Sequence, residues 1–332
     1  MAETARLDDV AKAPLAGSIG VVLPAGAEQA IAANQVDALI ASGRQAVEVG
    51  LGSLWLSQQF DHDALSVAAI LGHAVPDIAL GTSVVPIYPR HPMVVFSQAQ
   101  TAQAASHGRF TLGIGFGPPQ FAEAFGVPFD RPIRHLREYL TALGSLFSTG
   151  SVDLAGETLR ASTPRPATLA GATPPVSVVV AAMGPQALRV TGELADGTVP
   201  YLAGPKTVGE LIVPTINDAA RATGRPAPRI VVCLPAVVTA DVDSVRARAA
   251  EQMAFYLTLP SVTAVLAREG VSHPAELAVI GDEEALAAAI EQYFEAGATE
   301  IAVAQTGMSG DWDRRRTWGL LGELNRSRVS AG

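Results

Sequence analysis

The chain has almost no cysteine and almost no lysine. A single cysteine, Cys233, excludes an intrachain disulfide and a cysteine-built zinc site. Lysine occurs only at Lys12 and Lys206, so arginine carries the positive charge. Charged residues make up 17% of the 332, and acidic groups prevail to a formal charge of −9. That balance argues against a nucleic-acid partner, although a local arginine or helix terminus can still hold an anionic ligand. No apolar run approaches the ~20 residues of a membrane span, so no membrane partner is expected. The longest, residues 230–238, is short and interrupted by Pro235. The first residues, MAETARLDDVAKAPLAG, lack a basic stretch followed by an apolar one and do not read as a signal peptide. Residues 1–15 are expected to form a flexible arm, and the expected location is the cytoplasm.

What is present is apolar and alternating. Hydrophobic residues make up 48% of the chain, enough for a large core. Strand-like runs over 18–23, 54–56, 78–85, 110–114, 176–181, 197–200, 230–238 and 301–304 alternate with helical patterns. The helices fall over 28–49, 63–74, 93–106, 133–147, 186–195, 207–222, 242–257 and 312–326. Eight strand-then-helix units fit an α/β fold, the (β/α)8 TIM barrel, spanning 16–330 as a single domain. The surplus length falls in two insertions. Residues 151–175, after the fourth helix, have a hairpin look around Ala155-Gly156 and then a proline-rich stretch. Residues 258–296, between strands 7 and 8, carry extra helical pattern. An open doubly wound sheet is the rival, but no GxGxxG turn follows the first strand and no composition break divides the chain.

Residues 78–117 are the most informative stretch. Strand, helix and strand follow one another, and both strands end in glycine- and proline-rich turns where a ligand could approach the backbone. In a barrel, chemistry sits at the C-terminal strand ends. Here those ends are small and uncharged, with no histidine and carboxylate cluster, no GxSxG elbow and no lysine. A mouth without protein nucleophiles points to a cofactor that carries the chemistry for a small-molecule substrate.

Three segments resemble a known family. GTSVVPIYPRHP (81–92), SHGRFTLGIGFG (106–117) and AAMGPQALRVTGELADGTV (181–199) are similar to the luciferase-like monooxygenase superfamily. They look most like its oxidoreductases that use the 8-hydroxy-5-deazaflavin coenzyme F420. The resemblance covers roughly residues 18–305. It implies hydride transfer at deazaflavin carbon 5, with FMN-dependent oxygen activation and a non-catalytic flavin-binding barrel as alternatives. It also implies a homodimer, for which the apolar helix over 93–105 offers a face. A non-proline cis peptide, at Ser83-Val84 by position, would back the ring, with Gly81 relieving crowding. Gly115, Phe116 and Gly117 would lie along the cofactor's side chain. Ala182, Met183, Gly184 and Pro185 would receive its phosphate at a helix start, where free N–H groups suit an anion.

Gln58 and Gln59 stand where one sugar-phosphate dehydrogenase branch carries Asp-His. Glutamine hydrogen-bonds a ring carbonyl or a substrate but is no general base near neutral pH. That departure favours an activated C=C or C=N substrate over an alcohol. Tyr201, at a strand end, is a candidate proton donor, and His91 a second candidate beside its reading as a helix cap. His62 reads as a solvated helix start. His135 and its neighbours over 131–137 read as a solvated basic face able to reach an anionic tail. His73, His107 and His273 look like surface residues, Cys233 like core. Arg109, at the opposite barrel face, reads as a stability residue.

Overall fold

The computed structural model describes residues 17–25 and 32–331. The flexible-arm expectation and the expected start of the first helix at 28 lie outside the described residues. Strand β1 (Ile19–Leu23) leads to α1 (Gln35–Val49), β2 (Ser53–Leu56) to α2 (Ala64–Ala74), and β3 (Ala79–Thr82) with the short β4 (Val85–Pro86) to α3 (Pro92–Ala105). After β5 (Phe110–Gly115) come a one-turn helix α4 (Pro119–Ala124) and α5 (Pro132–Thr149). A hairpin, β6 (Asp153–Ala155) and β7 (Arg160–Ser162), precedes β8 (Ser177–Val180), α6 (Pro185–Leu194) and β9 (Gly197–Thr198). A short turn α7 (Pro205–Thr207) runs through π-helical Val208–Ile212 into α8 (Val213–Ala222). The chain ends with β10 (Arg229–Val238), α9 (Val242–Met253), α10 (Pro260–Glu269), β11 (Val279–Gly281), α11 (Glu283–Glu295), β12 (Glu300–Ala304) and α12 (Asp311–Ala331).

Eight parallel strands, β1-β2-β3-β5-β8-β9-β10-β12, close into a barrel through the β9–β10 and β12–β1 pairings. Parallel strands are covered on both faces, which is why IGVVL in β1 and the long run in β10 are nearly all buried. Local signals start and stop the helices. Asn34 Oδ1 accepts from the Val36 and Asp37 N–H groups at the start of α1, and Gly50 ends that helix with φ 88°. Asp63 accepts from Ser66 N–H at the start of α2. Two small elements have no counterpart in the sequence reading: α4, and β11, which pairs with the outer half of β10 at Ala236–Val238.

The interior is layered. At the N-terminal end, Arg229 donates to Glu300 from Nε and Nη2 at 2.7 and 2.9 Å. Its Nη1 also donates to Thr111 Oγ1 and Ser177 Oγ. Above this polar plug lie Val22, Trp55, Val179, Val199, Val231, Cys233, Ala302 and Ala304, all buried. Trp55 is the largest of them, and it fits because β3 has no side chain beside it. A Cβ on Gly81 would stand 2.4 Å from the indole. Gly81 leaves this space to Trp55. Arg109 donates to the carbonyls of Ile78 and Gly72 below the barrel, as a stability residue does.

The hairpin is held by one carboxylate. Glu138 on α5 accepts from the N–H groups of Glu157, Thr158 and Leu159 and from the Thr158 hydroxyl. Burial raises its pKa, but the Thr158 hydroxyl and these N–H donors outweigh that and hold the carboxyl below its ordinary value. A depressed folded-state value gives stability that is present above the unfolded pKa and lost as pH falls through the folded one. Amide protection at 157–159 should hold from neutral pH into the usual carboxylate range near ~4 and collapse below it. In Glu138→Gln that acid step should vanish; hydrogen exchange against pH reads both. Glu300→Ala would leave Arg229 unpaired and should cost roughly 3–5 kcal/mol in chemical denaturation.

Candidate functional site at the barrel mouth

The C-terminal strand ends converge on a mouth whose centre is a backbone irregularity. The Ser83-Val84 peptide is cis and lies between β3 and β4, where the family resemblance placed it. Past this bond Val85 and Pro86 pair with Ile114 and Gly115 of β5. Val84 is half-buried and packs onto the upper barrel layer with Ala181 and Tyr201. A Cβ on Gly115 would stand 2.9 Å from Val84 Cγ2 and 3.0 Å from the Ala181 Cβ. Gly115 thus makes room for Val84. Ser83 Oγ lies 3.8 Å from the buried Cys233 Sγ, so the upper layer joins the bulge to β10.

Beside the bulge, over β5 and β8, opens a cavity of about 560 Å³. Phe116, Ala182, Met183, Gly184 and Pro185 line it, so five of the expected cofactor residues meet there. No atom stands within 4 Å of where a Gly184 Cβ would be. The first turn of α6 has no side-chain cap, and Pro185 at its start carries no N–H. The Gln186 and Ala187 N–H groups and the helix dipole are therefore free to meet an anion. Arg189, one turn further on, also lines the cavity, is exposed, and has no carboxylate partner among the described residues. The sequence reading missed it, together with Ile133 and Ser261 on the same wall. Position alone could have found Arg189, since it stands one helical turn beyond the glycine-proline start. Gly117, with φ 68°, turns the chain above Pro86 and does not line this cavity.

Two expected site residues are otherwise engaged. Gln58 Nε2 donates to the carbonyls of Gln59 and His62, and its Oε1 accepts from Ala64 N–H at 2.8 Å. It ties the β2–α2 turn together. His91 caps α3: its Nδ1 accepts from Met93 N–H, and its Nε2 donates to the Arg160 carbonyl at 2.8 Å. Both ring nitrogens are used, as its reading as a helix cap requires. Gln59 stays half-buried, with no side-chain hydrogen bond among the described residues. Tyr201 is half-buried between the upper layer and the β10–α9 cluster, 5.4 Å from the Tyr256 ring. Among the described residues no group of three His, Cys, Asp or Glu could hold a metal ion.

The basic segment on α5 is neutralised. Arg131 and Arg134 share Glu157, and Arg137 pairs with Glu193. His135 stacks on Tyr88 at 4.6 Å, and burial pushes its pKa down against the pull of Glu138. Burial, with Asp130 nearby, pushes Tyr88 up to about 12, so its phenol stays protonated near neutral pH. At the end of β12, Gln305 takes φ 55° and buries its Oε1 without a protein partner.

The described residues contain no helix long and apolar enough to cross a membrane. The family profile described as luciferase-like monooxygenase matches residues 18–300. A 5,10-methylenetetrahydromethanopterin reductase of Methanolobus tindarius is 27% identical over 238 residues, 71% of this chain and 72% of the relative. The coenzyme F420-dependent tetrahydromethanopterin reductase of Methanopyrus kandleri superposes with a TM-score of 0.72 at 20% identity, over 94% of this chain and 99% of that one. A type II Baeyer–Villiger monooxygenase from Pseudomonas putida, in complex with FMN, has a TM-score of 0.74 at 16% identity, over 94% and 98%. With the family matched over most of its length and the closed parallel barrel in place, this chain belongs to the luciferase-like monooxygenase family of oxidoreductases.

Proposed function

We propose that the protein is an F420-dependent oxidoreductase acting on an activated C=C or C=N bond of an organic substrate. The observation that carries this reading is the cavity beside Val84, apolar along Phe116, Ile133 and Met183 and ending at the uncapped start of α6 with Arg189 unpaired. That combination fits a flat ring system joined to a phosphate. When bound, the deazaflavin supplies a two-electron hydride carrier at its carbon 5.

The chain's own residues divide the remaining work. Val84 and Ala181 offer an apolar backing at the mouth. The Gln186 and Ala187 N–H groups with Arg189 hold the phosphate. The Gln59 amide orients a substrate or ring carbonyl but exchanges no proton near neutral pH. The Tyr201 phenol, or water, supplies the last proton. The similarity of GTSVVPIYPRHP (81–92) to the deazaflavin-using oxidoreductases supports the deazaflavin over FMN.

A fluorescence titration with both cofactors separates the readings. The deazaflavin should bind at micromolar concentration and FMN at least roughly tenfold more weakly, a gap of ~1.4 kcal/mol. Preferential FMN binding, with oxygen consumed by the reduced FMN complex, would overturn the proposal. Arg189→Ala should weaken the deazaflavin about tenfold through loss of the charge-assisted contact. Tyr201→Phe should leave that affinity unchanged and lower kcat about 100-fold if the phenol is the donor; an unchanged kcat assigns the proton to water.

A further inference from the structure

At the barrel mouth three phenylalanines form an exposed wall. Phe60 follows β2, and Phe121 and Phe125 belong to α4 and its end after β5. Since β3 lies between β2 and β5, the three rings gather at the C-terminal end of this part of the barrel, with Phe121 beside Gly117 and Pro86 just past the Ser83-Val84 bulge. Phe60 lies 4.7 Å from Phe121 and 5.7 Å from Phe125, centroid to centroid. Yet Phe60 is 62% and Phe125 47% exposed, so the rings pack on each other and not into the core. Clustered exposed aromatics at a site's edge mark a surface that a ligand covers.

The charges around the wall select the ligand. Residues 57–63 and 118–130 contain Asp61, Asp63, Glu123 and Asp130 and no lysine or arginine. Asp63 is paired with Arg90, and Asp61 with His62. The exposed Glu123 and Asp130 remain without a basic partner on these segments. An anion approaching the wall meets like charge, whereas a neutral ring system loses nothing.

We propose that Phe60, Phe121 and Phe125 are the specificity surface for the substrate, and that this substrate is an uncharged molecule with an aromatic or polycyclic face. The inference rests on the oxidoreductase reading above and names the substrate class of that site. Neutral conjugated ketones and imines bearing aryl groups belong to this class; aryl carboxylates of the same skeleton do not. Phe60 and Phe125 select by contact and take no part in bond making.

Calorimetry with two probes of equal shape tests the proposal without turnover: neutral 2-acetylnaphthalene and anionic 2-naphthoate. The neutral probe should bind about tenfold or more tighter. Phe60→Ala and Phe125→Ala should each weaken it about fivefold or more, and Val94→Ala, on exposed α3 surface, should not. Circular dichroism and melting curves should match wild type for both phenylalanine variants, because these rings are largely exposed. Equal affinity for the two probes, or neutral binding indifferent to both variants, overturns the proposal. So does a change from dimer to monomer in sedimentation on Phe60→Ala or Phe125→Ala, which would make the wall a contact between copies. Deazaflavin affinity should be unchanged in both variants. Should wild type fail to bind deazaflavin at all, the cofactor reading falls alone, while the naphthalene pair still decides this one.

Discussion

The mouth depends on how the barrel beneath it is filled. A closed ring of eight parallel strands leaves an interior that side chains must occupy completely, because an unfilled space forfeits both burial and dispersion contacts. Here one large residue does most of that work. Trp55 lies in the space that Gly81 leaves open, and its Nε1 donates to Ser53 Oγ, so the indole is packed and its polar atom satisfied. The Arg229–Glu300 pair closes the barrel below. With the floor rigid, the upper layer can be made of small groups: Ala181, Ala304, Cys233 and the half-buried Val84. A mouth lined this way offers a shaped apolar surface and little acid–base chemistry. That suits a protein whose bound cofactor brings the reacting atoms.

The second insertion covers the same end. Ser261 of α10 reaches the wall of the cavity, and α10 is anchored at its far end. Glu269 accepts from Thr207 N–H at 2.6 Å and packs over Gly204, where a Cβ would stand 2.3 Å from its carboxyl carbon. The carboxylate thus caps α7 and fastens the insertion to the barrel's sixth loop. The hairpin is fastened in the same manner by Glu138. In both places a carboxylate gathers backbone N–H groups that a short turn leaves unpaired, which is the least costly way to dock an irregular segment.

The barrel was legible in the sequence because buried parallel strands are continuous apolar runs separated by helical periodicity. Strand ends were found to within a residue or two, and the hairpin near Ala155-Gly156 stands at Asp153–Ser162. The cavity's glycine-proline helix start was legible through motif resemblance, as was the position of the cis bond. Roles within motifs were not. Gln58 and Gln59 are identical in type and adjacent, yet one is consumed by a turn and the other is not; only the path of the loop decides. Gly81 reads as relief of crowding and Gly115 as close approach to a cofactor, but which side chains fill the space beside them, Trp55 and Val84, only the folded chain shows. Arg189 offered only its position one turn past the glycine-proline start, a weak signal because one arginine on an amphipathic helix looks like any solvated charge. β11 escaped because three residues pairing outside a barrel have no periodicity of their own.

Two ends of opposite electrical character follow from this layout. Over β5 and β8 the α6 dipole and Arg189 favour negative charge; beside Phe121 and Phe125 the exposed Glu123 and Asp130, without an ion pair among the described residues, oppose it, while Asp61 and Asp63 next to Phe60 are paired with His62 and Arg90. At physiological ionic strength the screening length is about 8 Å, so each set acts on what lies next to it and hardly on the other. Under the proposed function, a cofactor's anionic end would be drawn to the start of α6 by local contacts alone. The same anionic end placed on the aromatic side would meet like charge and find no N–H donors to replace its water. Orientation thus comes from where the favourable and unfavourable terms sit, not from overall charge, since the net −9 would repel every anion equally. The bulge at Ser83-Val84 follows β3, between β2 and β5, where under the proposed function ring and substrate would meet.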